Sequence, residues 1–461
     1  MIAMQASALA LALEGTLHNF PDQEVNGICV VDSREVSRDG IFFAIKGDIS
    51  DGADFAQDAF ARGASLVVVE SVVNGPCIVV SDVVGSLGKL AQHVRNQLSQ
   101  MTVIGITGSQ GKTTTKDLLA WVTSLVGETV ATYASYNNDI GLPLTILNCT
   151  PSTQFCIVEM GARHQGDIAR LCDIARPDIG VVLKVGTAHL GEFGSQEMIA
   201  QTKRELITSL TKDGVAVLGT YDRFTPHMAD GLAIKVITFG EGHTEDVRAT
   251  DSEIREGRAH FDLVTPIGRA AVALRLVGGH QIANALATAA VATELGISLD
   301  TIAGGLSTAE PHSKWRMQIH EMPDLLLIND AYNANVDSMS AALRVLALFA
   351  QERGGQSWAF LGKMLELGES SAQEHEKIGT LARSMGIDHL VCVSAPEYAG
   401  LISDSDDMKV HKCLSISEAQ LLAEHFSPGD VILVKASRGE KLEVLADAFV
   451  KIWDTKLGEQ E

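Results

Sequence analysis

Short apolar runs separated by polar turns recur along the whole chain, and their arrangement changes from one part to the next. In residues 1–100 the runs Cys29-Val30-Val31, Ile41-Phe42-Phe43-Ala44-Ile45 and Leu66-Val67-Val68-Val69 are short and β-branched or aromatic, which predicts buried strands. Residues 53–62 and 83–98 have helical spacing instead, so this part reads as mixed α/β. The opening stretch, residues 1–11, lacks a basic start and reads as a first helix, not an export signal. From 102 to about 307 strand-like and helix-like segments alternate, which predicts a parallel sheet covered by helices on both faces. Ligands then belong at the carboxyl ends of its strands. Residues 259–277 read as a hairpin inserted before an alanine-rich helix. From about 310 a second alternating pattern begins, with strands at 325–328, 359–361, 390–393 and 431–434 and a helix over 338–349. The fold class is α/β in three units, the last Rossmann-like, although no G-x-G-x-x-G sequence indicates a dinucleotide.

The densest chemistry lies where Val103-Ile104-Gly105-Ile106-Thr107 runs into Gly108-Ser109-Gln110-Gly111-Lys112-Thr113-Thr114. A helix is expected from Lys112, with Leu118, Leu119, Val122 and Leu125 on its apolar face. Strand, glycine loop, Lys-Thr and helix together make a phosphate cradle. Backbone N–H groups and a helix start face the anion, the lysine reaches terminal phosphates, and the threonine hydroxyl is placed for Mg²⁺. Ile106 stands where the longer Gly-x4-Gly-Lys-Thr spacing would need glycine, so the loop is a shortened form. A nucleoside triphosphate site is the reading; a plain turn before a helix is the alternative.

Other polar groups sit at predicted strand ends. Glu159 follows one strand and His189 follows the next, a carboxylate and an imidazole suited to a hard metal beside phosphate. Taken singly they read as a helix cap and a loop residue. Lys203 falls on the inward stripe of a helix over 196–210, between Ile199 and Leu206-Ile207. Either it snorkels past the helix edge, or burial leaves a neutral amine able to capture CO₂ as a carbamate that binds Mg²⁺. Ser33 and Arg34 follow one early strand and Lys46 another; these are ordinary loops or a diphosphate contact. Lys435, Ser437 and Arg438 mark a strand-to-helix junction fit for a carboxylate.

Composition narrows the classes. Of 461 residues, 46% are hydrophobic and 20% charged, which describes a globular chain of two or three domains. A net charge of −22 argues against nucleic acid and anionic membrane as partners, so an anionic substrate would need local basic pockets. No run approaches eighteen apolar residues, which argues against a span. Seven cysteines without a C-x-x-C pair fit reduced thiols, so a cytoplasmic location is expected. Residues 456–461 read as a frayed end.

Collected, these motifs resemble the Mur ligase family along nearly the whole chain. Those that carry the resemblance are Thr107-Gly108-Ser109-Gln110-Gly111-Lys112-Thr113-Thr114-Thr115, Tyr136-Asn137-Asn138-Asp139-Ile140-Gly141-Leu142-Pro143, Val158-Glu159-Met160-Gly161-Ala162, Gly186-Thr187-Ala188-His189, Asp330-Ala331-Tyr332-Asn333-Ala334-Asn335 and Met364-Leu365-Glu366-Leu367-Gly368. The last two resemble the members that add D-alanyl-D-alanine. The resemblance implies a UDP-sugar domain over 1–100, an ATPase domain over 101–311 and a Rossmann-like domain for the dipeptide over 312–461. The implied activity is ATP-driven joining of D-alanyl-D-alanine to UDP-N-acetylmuramoyl-tripeptide through an acyl phosphate, by a monomer. The implied catalytic residues are Lys112, His189 and a carbamylated Lys203. Gly108, Ser109, Gln110, Gly111, Lys112, Thr113, Thr114, Asn284, Arg316 and Asp330 would hold ATP. Thr113 and Glu159 would hold one Mg²⁺, His189 and Lys203 a second. Ser33, Arg34 and Lys46 would face the UDP end, and Asn137, Asn138, Asn333, Lys435, Ser437 and Arg438 the peptide substrates. Gln110, Gln281, Trp315, Val336 and Lys363 depart from the usual family pattern, and Gly219-Thr220-Tyr221-Asp222 lacks its Asn-x-Asp. Rival readings are a ligase for another amino acid and a nucleotide switch; the latter leaves residues 1–100 without a purpose.

Overall fold

The computed structural model describes residues 1–186, 190–310, 313–400 and 407–458, arranged on three main sheets. The first has five strands in the order Thr16–His18, Cys77–Val79, Leu66–Val69, Ile41–Phe43 and Cys29–Val30, and only its first pairing is antiparallel. The strand expected over 41–45 stops at Phe43, because Ile45 folds its N–H back to the Phe43 carbonyl and accepts from Gly52 N–H. The helix expected over 53–62 opens as the 3₁₀ turn Gly52–Phe55 under an Asp51 cap and becomes α-helical only over Ala56–Ala61. Ala6–Ala12 is the first helix, with Leu9 buried.

The central sheet has nine strands: Gly268–Val277, Arg258–Thr265, Val247–Arg255, Lys235–Gly240, Val215–Gly219, Ile179–Val182, Thr102–Thr107, Phe155–Glu159 and Thr129–Ala131. Seven run parallel, and the predicted hairpin forms the remaining two antiparallel strands. It is no free insertion. Val247–Arg255, a strand the apolar pattern does not announce, joins it to the sheet. Side chains alternate faces with period two. Ile104, Ile157 and Val181 pack under the helices Lys112–Ser124 and Gln281–Glu294, while Val103, Val158 and Val182 pack on the opposite face. Leu125, expected on the apolar face of the first of these helices, follows its last turn and is 48% exposed.

The third sheet runs Gln318–Met322, Leu325–Asn329, Val431–Lys435, Ser357–Leu361, His389–Val393 and Lys409–Cys413, parallel except for the first pair. Its first crossover helix, Val336–Arg353, exceeds the expected span at both ends. A reciprocal Asn335–Ser338 capping box starts it two residues early, and the left-handed Gly354 ends it.

Candidate active site between the second and third sheets

The strand Thr102–Thr107 delivers the glycine loop to the carboxyl edge of the central sheet, where the helix Lys112–Ser124 begins. Gly111 has φ 82°, and a Cβ there would lie 2.2 Å from Asn284 Oδ1, so only glycine fits. Asn284 is fixed in turn: Thr115 Oγ1 donates to its Oδ1 (3.2 Å), and its amide donates to Gln281 Oε1 (2.7 Å). Ser109 ties the loop to the next strand exit, donating its N–H to Lys184 O (2.9 Å) and accepting from Gly186 N–H (2.8 Å). Lys112 Nζ donates to Gly108 O at 2.9 Å. Desolvation lowers its pKa, the Glu159 charge opposes that shift, and Arg316 adds to it.

Glu159, 1% exposed, receives Thr113 Oγ1 on one oxygen (2.8 Å) and Asn137 Nδ2 on the other (2.8 Å). Lys203 occupies the buried face of the helix Gln196–Thr208 with Ile199, Leu206 and Ile207. Burial, and secondarily the Lys112 charge, brings its ammonium down to about 7. Among the described residues none accepts a hydrogen bond from its Nζ.

The third sheet supplies the facing wall. Asp330 leaves the strand Leu325–Asn329 and accepts Lys435 Nζ (2.6 Å) and Met317 N–H (3.0 Å). Lys435 also donates to Asn333 O (2.8 Å). The Arg316 guanidinium lies 4.0 Å from the Tyr332 ring centroid and donates across to Ser135 Oγ (2.9 Å). Between the walls is a cavity of about 1270 Å³.

That cavity gathers most of the sequence-predicted site. It is lined by Gly108, Ser109, Gln110, Gly111, Lys112, Thr113, Thr114, Asn137, Asn138, Glu159, Lys203, Asn284, Arg316, Asp330, Asn333 and Lys435. Ser437 and Arg438 are not in its lining: Ser437 Oγ accepts Leu365 N–H, and Arg438 pairs with Glu443 (2.5 Å) over the Trp315 ring. Ser33, Arg34 and Lys46 belong to the first sheet's loops, outside the lining. There Ser33 Oγ donates to Asp58 (2.9 Å), Arg34 forks onto Asp32, and Lys46 is exposed. His189 lies outside the described residues. Sequence reasoning gave no role to Ser135, Tyr332, Arg163 or His280, which also line the cavity. The nearest signal was position, since Ser135 directly precedes the Tyr136-Asn137 motif and Tyr332 stands inside the Asp330 motif.

Comparison with known proteins matches residues 27–99 to the Mur ligase family, catalytic domain, residues 106–292 to the Mur ligase middle domain, and residues 315–438 to the Mur ligase, glutamate ligase domain. A UDP-N-acetylmuramoyl-tripeptide–D-alanyl-D-alanine ligase from Mycobacterium tuberculosis is 40% identical, with 98% of each chain covered. The crystal structure of MurF from Acinetobacter baumannii is 34% identical with a TM-score of 0.87, covering 97% of this chain and 99% of that one. MurF from Thermotoga maritima in complex with ADP is 30% identical with a TM-score of 0.81, covering 94% and 99%. The chain belongs to the Mur ligase family. In this Mur ligase the cavity lies between the segments matched by the middle and glutamate-ligase models, and each supplies one wall.

Proposed function

We propose that this Mur ligase joins D-alanyl-D-alanine to the terminal carboxylate of UDP-N-acetylmuramoyl-tripeptide at the expense of ATP, giving the pentapeptide precursor of peptidoglycan. The observation that carries the proposal is the two-walled cavity, with Lys112, Glu159 and Lys203 facing Asp330 and Lys435, in a chain that matches such ligases from end to end. In the reaction a carboxylate oxygen attacks the γ-phosphorus and the bond to ADP breaks. The dipeptide amine then attacks the acyl carbon, loses a proton and displaces phosphate.

Phosphoryl transfer needs positioning and charge neutralisation more than covalent help from the protein. Lys112, already desolvated and aimed along the loop, supplies a positive charge for the terminal phosphates. Asn137 holds Glu159 in a fixed orientation and leaves its own loop to meet the peptide carboxylate. The buried oxygens of Thr113 and Glu159 are a hard donor pair, which fits one Mg²⁺. Lys203, with a lowered pKa and no described acceptor, fits a carbamate, which with His189 would hold a second. When bound, the ions supply neutralisation of charge developing on the phosphate oxygens. The pair Asp330–Lys435 keeps the lysine's charge on the opposite wall, where the dipeptide carboxylate would enter.

We assign 1–100 to the UDP-sugar end, with Ser33, Arg34 and Lys46 as its contacts, 101–311 to ATP and 312–461 to the dipeptide, with Ser437 and Arg438 as contacts of its carboxylate. The enzyme works as a cytoplasmic monomer on this reading. All seven cysteines are free and buried, and no helix of the described residues is long and apolar enough to cross a membrane. The deciding experiment is phosphate release from ATP with UDP-N-acetylmuramoyl-tripeptide, carrying lysine or diaminopimelate third, with and without D-alanyl-D-alanine. Release that needs both substrates, with pentapeptide by mass, is expected. Release indifferent to the dipeptide would replace this reading with another amino-acid ligase or a bare ATPase.

A further inference from the structure

The two walls also meet at two places, through contacts of opposite kinds. At one end the turn between Val247–Arg255 and Arg258–Thr265 reaches over to the helix Val336–Arg353. Gly257 sits against Phe349, a Cβ on it falling 2.4 Å from Phe349 Cζ, and Val277 shares a buried core with Met317, Leu343 and Phe349. Apolar packing of this sort is non-directional and tolerates small rotations. At the other end there is almost no side chain. Gly191, in the short helix Leu190–Phe193, lies directly against the backbone of the loop before Gly368–Ser370. A Cβ on Gly191 would stand 2.8 Å from Gly368 N, 2.9 Å from Glu366 O and 3.0 Å from Leu367 C. From the other side, a Cβ on Gly368 would stand 3.3 Å from Gly191 Cα. Beside this contact Arg163 reaches Glu366 at 3.5 Å.

We propose that Gly191 and Gly368 are positioning residues for ligation, a bare-backbone stop that sets how closely the wall bearing Asp330 and Lys435 approaches the wall bearing Lys112 and Lys203. The proposal rests on the ligase reading above. The three atoms facing Gly191 are backbone, so a methyl group could not be accommodated by turning a side chain. The loop would have to retreat by several tenths of an ångström or more, opening the cavity from that end about the apolar end as pivot. Misplacement on the order of 1 Å between reacting groups costs roughly 100-fold in rate. The opened seam would also admit water, which adds to the acyl carbon in place of the amine, expels phosphate and returns the free carboxylate. ATP would still bind, because Gly108 to Thr114 and Asn284 stay together on the first wall and only Arg316 and Asp330 move with the other.

The test compares Gly191→Ala and Gly191→Val with the unchanged enzyme and with Gly304→Ala, where a Cβ meets nothing within 4 Å. Phosphate released and pentapeptide formed are measured in the same tube. For Gly191→Ala a 10- to 100-fold fall in kcat is expected, with KM for ATP within threefold, and with more than one phosphate released per peptide bond; Gly191→Val should be worse on both counts. Gly304→Ala should remain at one phosphate per bond. Misfolding would remove phosphate release and ligation in proportion, so the ratio separates a positioning defect from a lost fold, and melting curves check the latter. Full rate at a ratio of one in Gly191→Ala would overturn the proposal. An unchanged enzyme that makes no pentapeptide would instead overturn the ligase reading.

Discussion

Two seams join the three sheets, and they are built from different chemistry. Between the first and second, the helix Val83–Gln97 packs against Gly141–Leu147 and Asp167–Ala175, and one buried core runs through both units, from Leu9, Phe43 and Leu87 to Leu142, Val158 and Leu171. Gly88 brings that helix so close that a Cβ would sit 3.1 Å from Ile174 Cδ1. A buried polar group within the seam, Arg95, is 8% exposed and satisfied by the carbonyls of Leu98, Met101, Ala175 and Arg176 and by Asp178 at 2.9 Å. Between the second and third sheets the contacts are mostly single polar pairs around a cavity: Gln110 to Asn335 (2.9 Å), Arg316 to Ser135 (2.9 Å), Ser313 to Asp117, Lys184 to Asp337 (3.9 Å) and Arg163 to Glu366 (3.5 Å). A shared core makes two units move as one, whereas isolated polar pairs exchange readily with water. One seam is a weld and the other a clasp, as a reaction that must admit ATP and two peptide substrates and then exclude water requires.

The contrast predicts that activity and stability respond to different seams. Lys112→Ala should lower kcat/KM for ATP by about 1000-fold or more, the cost of losing a charge aimed at the transferring phosphate in a desolvated site, while melting temperature holds or rises because a desolvated ammonium is gone. Leu87→Ala, in the shared core, should cost about 3 kcal/mol and lower the melting temperature by roughly 5 °C or more, with kcat unchanged in the protein that stays folded. Phosphate release and calorimetry on the two variants would expose any crossover; a Leu87→Ala protein that is stable but slow would mean the first seam also moves.

Lys203 tests the clasp from within. Its folded pKa is about 7 against an ordinary 10.5. The unfolded chain therefore binds more protons between those values, and burial of this lysine costs stability that is greatest below pH 7 and fades as pH rises toward 10.5. In CO₂-free buffer Lys203→Met should be more stable than the parent by on the order of 2 kcal/mol at pH 7, with the gap closing by pH 10, yet inactive in ligation. A constant gap across that range would show the lysine to be neutral or paired throughout.

The chain made the weld hard to read and the clasp easier. Strands such as 66–69 and 431–434 announce themselves because both faces are buried, which makes the apolar run continuous. Val247–Arg255 was silent because seven of its nine positions are partly or fully exposed, and the pattern there is polar. The phosphate loop, Glu159 and Lys203 were legible because glycine, carboxylate and an inward lysine are unusual at those positions. Spacing alone left Lys203 even between snorkelling and burial, and only the family resemblance tipped it, since a helix period cannot say whether an amine reaches solvent; that depends on the packing around Ile199 and Leu206. Arg438 was read as a carboxylate site from its junction, and the structure adds two partners the junction does not announce, Glu443 and the Trp315 ring. Trp315, far earlier in the chain, leaves no local signal at Arg438. The meeting of Gly191 with Gly368, likewise, exists only once two sheets face each other.

The smallest effect should come from the rim of the clasp. Arg163 and Glu366 are exposed, with 70% and 35% of their side chains open to solvent, and their 3.5 Å separation is long for an ion pair. Such pairs are worth roughly 0–1 kcal/mol and are screened by salt. Arg163→Ala should therefore leave melting temperature within about 1 °C and lower kcat/KM no more than about fivefold, an effect that shrinks further at 0.5 M salt. Because both walls carry a share of this pair, a double-mutant cycle with Glu366→Ala separates closure from local loss. If the pair only decorates the rim, the two losses add. If it helps seat the loop that carries Gly368, Glu366→Ala alone should already reach the full loss, and the second substitution should cost nothing more.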